Sequence, residues 1–247
     1  MKVAKQARPT LSGRAQNVIT AAIAKSSQSA PPWPFAVPQG DLDDAASTAE
    51  GDLAYAGILE ITDPNTLCCL AFHPSGEIRR WVAENPHTPF DVLDWLCEDG
   101  HPTVRAAVAT HPRAPQRALA LLIQDEDERV RFGAVRNTTL PARLVGRLDD
   151  DPNPYIRQWV ARHPQAPVPT LRVLARDTDP DVRTAVARAD RTPPAVLTDL
   201  ASDPHPRVRF AVARHAKATP EALARLMADS LPAIRQEAID AQAARQL

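Results

Sequence analysis

Branched aliphatic residues recur along the chain at a constant spacing of 26 residues, and each is followed directly by arginine. The pairs run from Ile78-Arg79 to Ile234-Arg235 without an insertion. Valine or alanine follows four residues after each aliphatic position, and in six repeats leucine follows eighteen residues after it. A fixed period of about 20 to 50 residues is typical of repeat proteins, so the pattern predicts a repeat architecture.

Each repeat is predicted to form two short helices. Asn153 and Asp179 are N-cap candidates, and the proline after each suits the first position of a helix. His163 precedes a proline and therefore disfavours continuation of the first helix. The second helix carries an i, i+3 apolar pair such as Leu171 and Leu174. Because neither helix is long enough to be stable alone in water, the repeats must stack and bury one continuous aliphatic seam.

The pattern divides the chain into four parts. We expect residues 1–51 to form a mostly disordered arm, basic at first and then acidic, with proline and serine between. Residues 52–77 are expected to form an atypical N-terminal capping repeat, residues 78–233 six repeats, and residues 234–247 a C-terminal capping helix. An alternative for the arm is a basic segment that contacts an anionic partner.

Composition restricts the class of protein. The 247 residues are 44% hydrophobic but only 4% aromatic, so alanine and aliphatic side chains must fill the core. Twenty-five prolines disfavour long helices and a wide sheet. The net charge of −1 gives no whole-molecule argument for nucleic acid, and no apolar run approaches the roughly 18 residues of a membrane span. Three cysteines without a CxxC pair indicate a reducing compartment, so we expect a cytoplasmic protein. We also expect it to be bacterial and monomeric.

The repeat residues resemble a known family. DPDVRTAVAR at residues 179–188, followed by TPPAVL at residues 192–197, is similar to the leucine-rich repeat variant family, itself similar to HEAT-like helical repeats. The resemblance covers about residues 52–247 and implies an all-α, right-handed superhelical solenoid of alternating α and 3₁₀ helices without a sheet. In that family a cysteine cluster can hold a four-iron, four-sulfur centre, whereas this chain offers only Cys68 and Cys69 there.

One arginine and one aspartate per repeat form a predicted structural ladder. Each aspartate stands six residues before the arginine of the next repeat, and partly buried charges come in pairs. The alternative is a ridge of arginines that binds phosphate. The ladder residues are Arg105, Arg131, Arg157, Arg183, Arg209 and Arg235, with Asp99, Asp125, Asp151, Asp177, Asp203 and Asp229.

A second set of arginines occupies the last turn of the first helix in four consecutive repeats. This position lies about 240° from the seam on a helical wheel, which predicts exposure to solvent. These arginines could satisfy terminal carbonyls and the helix dipole, or form a basic stripe with two aromatic residues at a nearby exposed position. The candidate partner-binding residues are Arg136, Arg162, Arg188, Arg214, Phe132 and Phe210.

The remaining chemistry-bearing residues are interpreted as structural. His111, His163 and His215 recur in every second repeat at the end of the first helix, too far apart to share a metal. Trp81 and Trp159 take one position near the seam and are expected to fill the core. The sequence contains no nucleophile elbow, phosphate loop, dinucleotide fingerprint or metalloprotease helix, so we expect no enzyme activity and no cofactor or metal site.

These observations favour a non-catalytic scaffold that binds a protein or peptide partner along the face of the solenoid. Residues 78–247 hold 24 basic and 22 acidic side chains, and this net charge of +2 argues against nucleic acid. An accessory role in a redox or iron–sulfur system is a third hypothesis. The main alternative is a nucleic-acid-binding superhelix that uses the same arginines together with Lys2, Lys5, Arg8 and Arg14.

Overall fold

The computed structural model describes residues 57–245, and within this range the chain is helical without a strand. The all-α helical-repeat fold is confirmed. Residues 57–59 are helical, and a 3₁₀ turn spans Gly146–Leu148. The α-helices are α1 Pro64–Leu70, α2 Gly76–Glu84, α3 Phe90–Leu96, α4 Pro102–Thr110, α5 Gln116–Leu122, α6 Glu128–Arg136, α7 Ala142–Val145, α8 Pro154–Arg162, α9 Val168–Leu174, α10 Pro180–Arg188, α11 Pro194–Leu200, α12 Pro206–Ala213, α13 Pro220–Met227 and α14 Pro232–Ala244.

The chain divides into two compact units between Ala118 and Leu119. In the C-terminal unit, the first helices of successive repeats, α6, α8, α10, α12 and α14, each pack on the next. The second helices of these repeats pack beside this row. In the N-terminal unit, α2 packs on α4 in the same way. Each unit is therefore built by stacking helix pairs.

The predicted N-caps start the first helices. The Asn153 side chain accepts a hydrogen bond from the Tyr155 N–H at 2.9 Å. The Asp179 carboxylate accepts from the N–H groups of Asp181 and Val182, at 2.7 and 3.4 Å. These bonds satisfy amide groups that have no partner inside the helix, and the extended conformation of each cap residue sets where the helix begins.

The aliphatic columns form the core of each unit. In the C-terminal unit the first helices bury their branched residues and the second helices bury two leucine or valine positions each. No first helix before α14 exceeds nine residues, so its stability depends on this burial between neighbours rather than on helix propensity. The buried residues of the C-terminal unit include Val130, Ile156, Val182, Val208, Ile234, Val145, Leu171, Leu197, Leu223, Leu148, Leu174, Leu200 and Leu226.

The second helices are α-helical, which differs from the alternation of α and 3₁₀ helices that the family resemblance implies. In α9, for example, the Leu171 N–H donates to the Pro167 carbonyl and the Ala175 N–H to Leu171, both i to i−4 bonds. The 3₁₀ turn follows α7 at Gly146, where a Cβ would lie only 3.1 Å from Thr170 Oγ1. Glycine permits this close approach at the cost of helix stability.

The arm predicted at residues 1–51 lies outside the described residues, as does the start of the capping repeat predicted at 52–77. The boundaries of the repeats and of the terminal helix stay predictions. Among residues 57–245, no helix is both long and apolar enough to cross a bilayer.

Candidate functional site

Each ladder arginine joins two loops. Arg157 donates from Nε and Nη2 to the two carboxylate oxygens of Asp177, at 2.7 and 2.9 Å. Its Nη1 donates to the carbonyl of Asp151 at 2.7 Å. The carbonyl of Asp177 in turn accepts from Nη1 of Arg183 at 2.8 Å. Each aspartate therefore holds two arginines, one through its carboxylate and one through its backbone.

The pairing differs from the one expected from sequence spacing. The carboxylate pairs with the arginine twenty residues earlier, whereas the arginine six residues later reaches only the carbonyl. The reason is local, because the carboxylate also accepts the N–H two residues ahead, as Asp177 does from Asp179, and this turn orients it. The bidentate pairs are Arg79–Asp99, Arg131–Asp151, Arg157–Asp177, Arg183–Asp203 and Arg209–Asp229.

The other ladder residues take part in the same hydrogen bonds from arginine Nη1 to an aspartate carbonyl. Arg105 donates from Nη1 to the Asp99 carbonyl at 2.8 Å, and Arg235 does the same to the Asp229 carbonyl at 2.8 Å. The Asp125 carbonyl accepts from Nη1 of Arg131 at 2.8 Å. These contacts tie the loop before each first helix to that helix.

The ladder is buried enough to be structural. The paired arginine side chains are 12–15% exposed and their aspartates 2–7%. Burial alone would raise the pKa of Asp99 and of Asp177, but hydrogen bonds from arginine and from the backbone hold each pKa below its ordinary value. These arginines are already satisfied and present little surface to a ligand.

The second arginine set is exposed. Arg136 and Arg162 end α6 and α8, Arg188 ends α10, and Arg214 directly follows α12. None of the four guanidinium groups donates to a backbone carbonyl within the described residues. Of the structural alternative, only the favourable position of a cation in the last turn, near the negative end of the helix dipole, therefore remains. We call the solvent-facing side of α6, α8, α10 and α12 that carries Arg136, Arg162, Arg188 and Arg214 the arginine face.

Aromatic rings support two of these arginines. The guanidinium carbon of Arg136 lies 5.7 Å from the ring centroid of Phe132 and 5.4 Å from that of Trp159 in the next repeat. Phe132 and Trp159 meet edge to face, with centroids 6.0 Å apart. In the same way Arg214 lies 5.9 Å from the ring of Phe210. Such cation–π contacts are worth roughly 0.5–1 kcal/mol at exposed sites and restrict the arginine rotamers.

The burial of three aromatic side chains differs from what the sequence predicts. Phe132 and Phe210 are half-buried rather than exposed, because their arginines cover them. Trp81 is buried as expected of a core residue, but Trp159 is only half-buried. The indole of Trp159 contacts the ring of Phe132 in the preceding repeat.

Sequence reasoning missed the position one residue before each branched aliphatic residue. On a helical wheel it lies at about 260° from the seam, close to the arginine position. Tyr155 at this position is 67% exposed on α8. Arg207 also occupies it, and forms an ion pair at 2.8 Å with Asp181, the corresponding residue of the preceding repeat. The signal was the wheel angle, which places this column on the arginine face.

The corresponding side of the N-terminal unit has a different charge. Arg80 on α2 is engaged by Glu77 at 2.8 Å and by Glu84 at 2.7 Å. The residue of α4 that corresponds to the exposed arginines is Thr110, whose hydroxyl donates to backbone carbonyls of its own helix. The exposed arginine pattern is therefore a property of the C-terminal unit.

The histidines at the helix ends belong to a hydrogen-bonded column. His163 Nε2 lies 3.1 Å from the Asn137 carbonyl, so it must donate, and its Nδ1 accepts the Gln165 N–H at 3.0 Å. His111 makes the same two contacts with Asn85 and Arg113. Burial lowers the pKa of both imidazoles. A neutral imidazole with its proton on Nε2 can make both contacts. The hydrogen bond from Nε2 links each of these histidines to the preceding repeat.

The cysteines are protected from deprotonation. Burial, with smaller contributions from nearby carboxylates, raises the pKa of Cys97 to about 12, and burial also raises those of Cys68 and Cys69. Within residues 57–245, no group of three or more histidine, cysteine or carboxylate side chains is arranged to hold a metal ion.

Comparison with known proteins gives one family match. Residues 102–127 match the sequence model of the family described as "Leucine rich repeat variant". A solved structure described as "a leucine-rich repeat variant with a novel repetitive protein structural motif" is 21% identical, with a TM-score of 0.38. The match covers 84% of this chain and 98% of the other. A search of curated proteins found no match. The family model confirms the resemblance to the leucine-rich repeat variant family at residues 102–127.

Proposed function

We propose that this protein is a non-catalytic helical-repeat scaffold that binds a protein or peptide partner on the arginine face of its C-terminal unit. The observation that carries the proposal is the exposure of Arg162 and Arg188 in adjacent repeats, with no carboxylate at ion-pair distance among the described residues. An unpaired surface cation is common, but a column of them on a stacked row of helices is a continuous, regularly spaced surface.

The rings on the same face support this proposal. Trp159 and Tyr155 add aromatic surface on the same side of α8, and tryptophan, tyrosine and arginine are the residues most enriched at energetically important interface positions. The ladder arginines make no competing surface, because their guanidinium groups are satisfied inside each unit. Repeat folds use such extended faces to hold partners.

A second candidate function is binding of single-stranded nucleic acid. Specific support comes from Tyr155 and Trp159, which lie between Phe132 and Phe210 and make the aromatic positions denser than the two phenylalanines alone suggest. Proteins that bind single strands combine a basic groove with stacking rings. Because such binding releases counterions, its affinity would fall steeply as the salt concentration rises.

Affinity capture with charge-reversed variants tests the primary proposal. The full chain is immobilised as wild type, as Arg162→Glu/Arg188→Glu, and as Arg147→Glu/Arg172→Glu. Arg147 and Arg172 are exposed on the second-helix side of the same unit and provide an equal change of charge. We expect one protein at stoichiometric yield with wild type and with the second variant, and its loss with the first.

Two results would contradict the proposal. Equal capture by all three forms would place the contact away from the arginine face. A labelled 20-nucleotide single strand that binds wild type tightly at low salt, loses affinity steeply by physiological salt and fails to bind Arg162→Glu/Arg188→Glu would instead favour the second candidate.

A further inference from the structure

We propose that the ligand of the arginine face is an acidic segment in the polyproline II conformation, with a carboxylate at every third residue. The inference rests on the proposed function and names the chemistry of the partner. It follows from three features of the C-terminal unit: the spacing of the exposed arginines, their charge environment and the rings on the same face.

The spacing of the arginines comes from helix packing. Successive first helices pack directly on one another, and packed helix axes lie about 8–10 Å apart, so equivalent arginines repeat at that distance. A polyproline II helix has three residues per turn and rises about 3.1 Å per residue, which brings every third side chain to one side at ~9 Å. An extended β-strand repeats its same-side residues at about 6.6 Å. An α-helix reaches this distance only at every seventh residue, which rises about 10.5 Å.

The charge environment favours sparse carboxylates over a phosphate backbone. The last-turn column of the face offers one exposed guanidinium per repeat, whereas a single strand of DNA carries one charge per ~3.4 Å. Two carboxylates also lie on this side: Asp181 pairs with Arg207, and Glu237 lies 3.5 Å from Arg214. These carboxylates would repel a continuous polyanion, but a peptide with spaced carboxylates can avoid them. The two central arginines, Arg162 and Arg188, have no ion-pair partner among residues 57–245 and are available to a ligand.

The rings suit the residues between the carboxylates. Tyr155 projects into solvent from the first turn of α8, and Trp159 lies one turn further along beside Arg136. Grooves lined by aromatic side chains are the usual docking site for proline-rich polyproline II segments, because proline packs flat on a ring and the ligand loses little entropy. The fitting ligand therefore combines acidic residues with intervening prolines.

Fluorescence anisotropy with two peptide isomers tests the spacing. The first labelled peptide contains four copies of Asp-Pro-Ala. The second contains the same twelve residues, with the aspartates at alternate positions of the first seven and the prolines in the remaining five. We expect the full-length protein to bind the first peptide about tenfold more tightly, equivalent to ~1.4 kcal/mol. The difference should disappear in Arg162→Glu/Arg188→Glu and persist in Arg147→Glu/Arg172→Glu, with circular dichroism showing that both variants are folded.

The other possible results would contradict different parts of the proposal. Equal binding of both peptides, lost in Arg162→Glu/Arg188→Glu, would overturn the three-residue spacing and leave the proposed scaffold function standing. Absence of binding by either peptide would overturn this inference alone, because the capture experiment decides the function separately. Arginine-dependent binding of the single-stranded oligonucleotide, with neither peptide bound, would overturn both.

Discussion

At the scale of single residues, the side chains at the helix ends connect one repeat to the one before it. His163 donates to a carbonyl twenty-six residues earlier, and in the equivalent position of the N-terminal unit Asn85 donates from Nδ2 to the Ile58 carbonyl at 2.7 Å. The Asn85 side chain also accepts the N–H two residues ahead through Oδ1, as the imidazole Nδ1 does. Asparagine and histidine therefore make the same kind of hydrogen bonds at this position, one donated to the preceding repeat and one accepted from the N–H two residues ahead.

The variant His163→Asn tests whether the neutral imidazole makes stability depend on pH. The pKa of His163 is lowered in the folded state from its ordinary 6.5, so the unfolded state binds more protons below that value. The stability that the neutral ring contributes is present above pH 6.5 and is lost as the pH falls below it. We expect the urea midpoint of wild type to fall more between pH 7 and pH 5.5 than that of His163→Asn.

The comparison needs equal stability at neutral pH. Because asparagine can make both hydrogen bonds, we expect the two proteins to differ by no more than about 1 kcal/mol at pH 7.5. Parallel pH profiles for the two proteins would show that another group controls the acid response.

At the scale of elements, the last helix shows what a helix needs in order to stay folded. α14 has thirteen residues and no side-chain cap, so its burial against the preceding repeat supplies its stability. Ile234 is 2% exposed and Ala238 fully buried, whereas Ile239 on the same helix is 46% exposed. The helix thus provides a matched pair of isoleucines that differ in burial.

Substitution of these isoleucines measures the packing of α14. Ile234→Ala removes buried methyl and methylene groups, and we expect a loss of about 2–4 kcal/mol in the free energy of unfolding. Ile239→Ala removes the same atoms from a half-exposed position and should cost well under half as much. Equal losses measured by urea denaturation would mean that α14 is stabilised by its own helix propensity rather than by the seam.

At the scale of the molecule, the ladder distributes stability along each stack of repeats. In the C-terminal unit, Asp151, Asp177 and Asp203 each accept from one arginine through the carboxylate and from another through the carbonyl, so one broken pair affects two repeats. In repeat proteins stability is approximately a sum of repeat terms and nearest-neighbour terms. The ion pair contributes to the free energy of interaction between neighbouring repeats.

Asp177→Asn removes one pair of the ladder. The carboxylate and Arg157 are both largely buried, and loss of one partner of such a pair costs about 3 kcal/mol at the lower end of the known range. The control Asp190→Asn changes an exposed carboxylate and should have little effect. Because the pKa of Asp177 is lowered from 3.8, its contribution is present above that value and is lost as the pH falls through the folded pKa.

Chemical denaturation followed by circular dichroism checks this prediction at two pH values. We expect the difference between wild type and Asp177→Asn to be full at pH 6 and reduced below pH 3. An unchanged midpoint at pH 6 would show that the pair only breaks even against its desolvation.

The 26-residue period, the helix pairs, the cap residues and the buried columns could all be predicted from the amino-acid sequence. These features are local or periodic: Asp179 caps its own helix, and Val182 lies on the seam by its position in the 26-residue repeat. A side chain within a few residues of its partner leaves a readable pattern.

Contacts between repeats depend on how the helices stack. Asp177 pairs with Arg157 rather than Arg183, and Trp159 meets Phe132 edge to face and lies beside Arg136. These partners are twenty or more residues apart in the sequence. The repeat pattern shows which residue type stands at each position, but it does not show the side-chain rotamer or which neighbour the side chain can contact. Only the stacked backbone fixes those distances, because interlocking side chains from two repeats must share one surface.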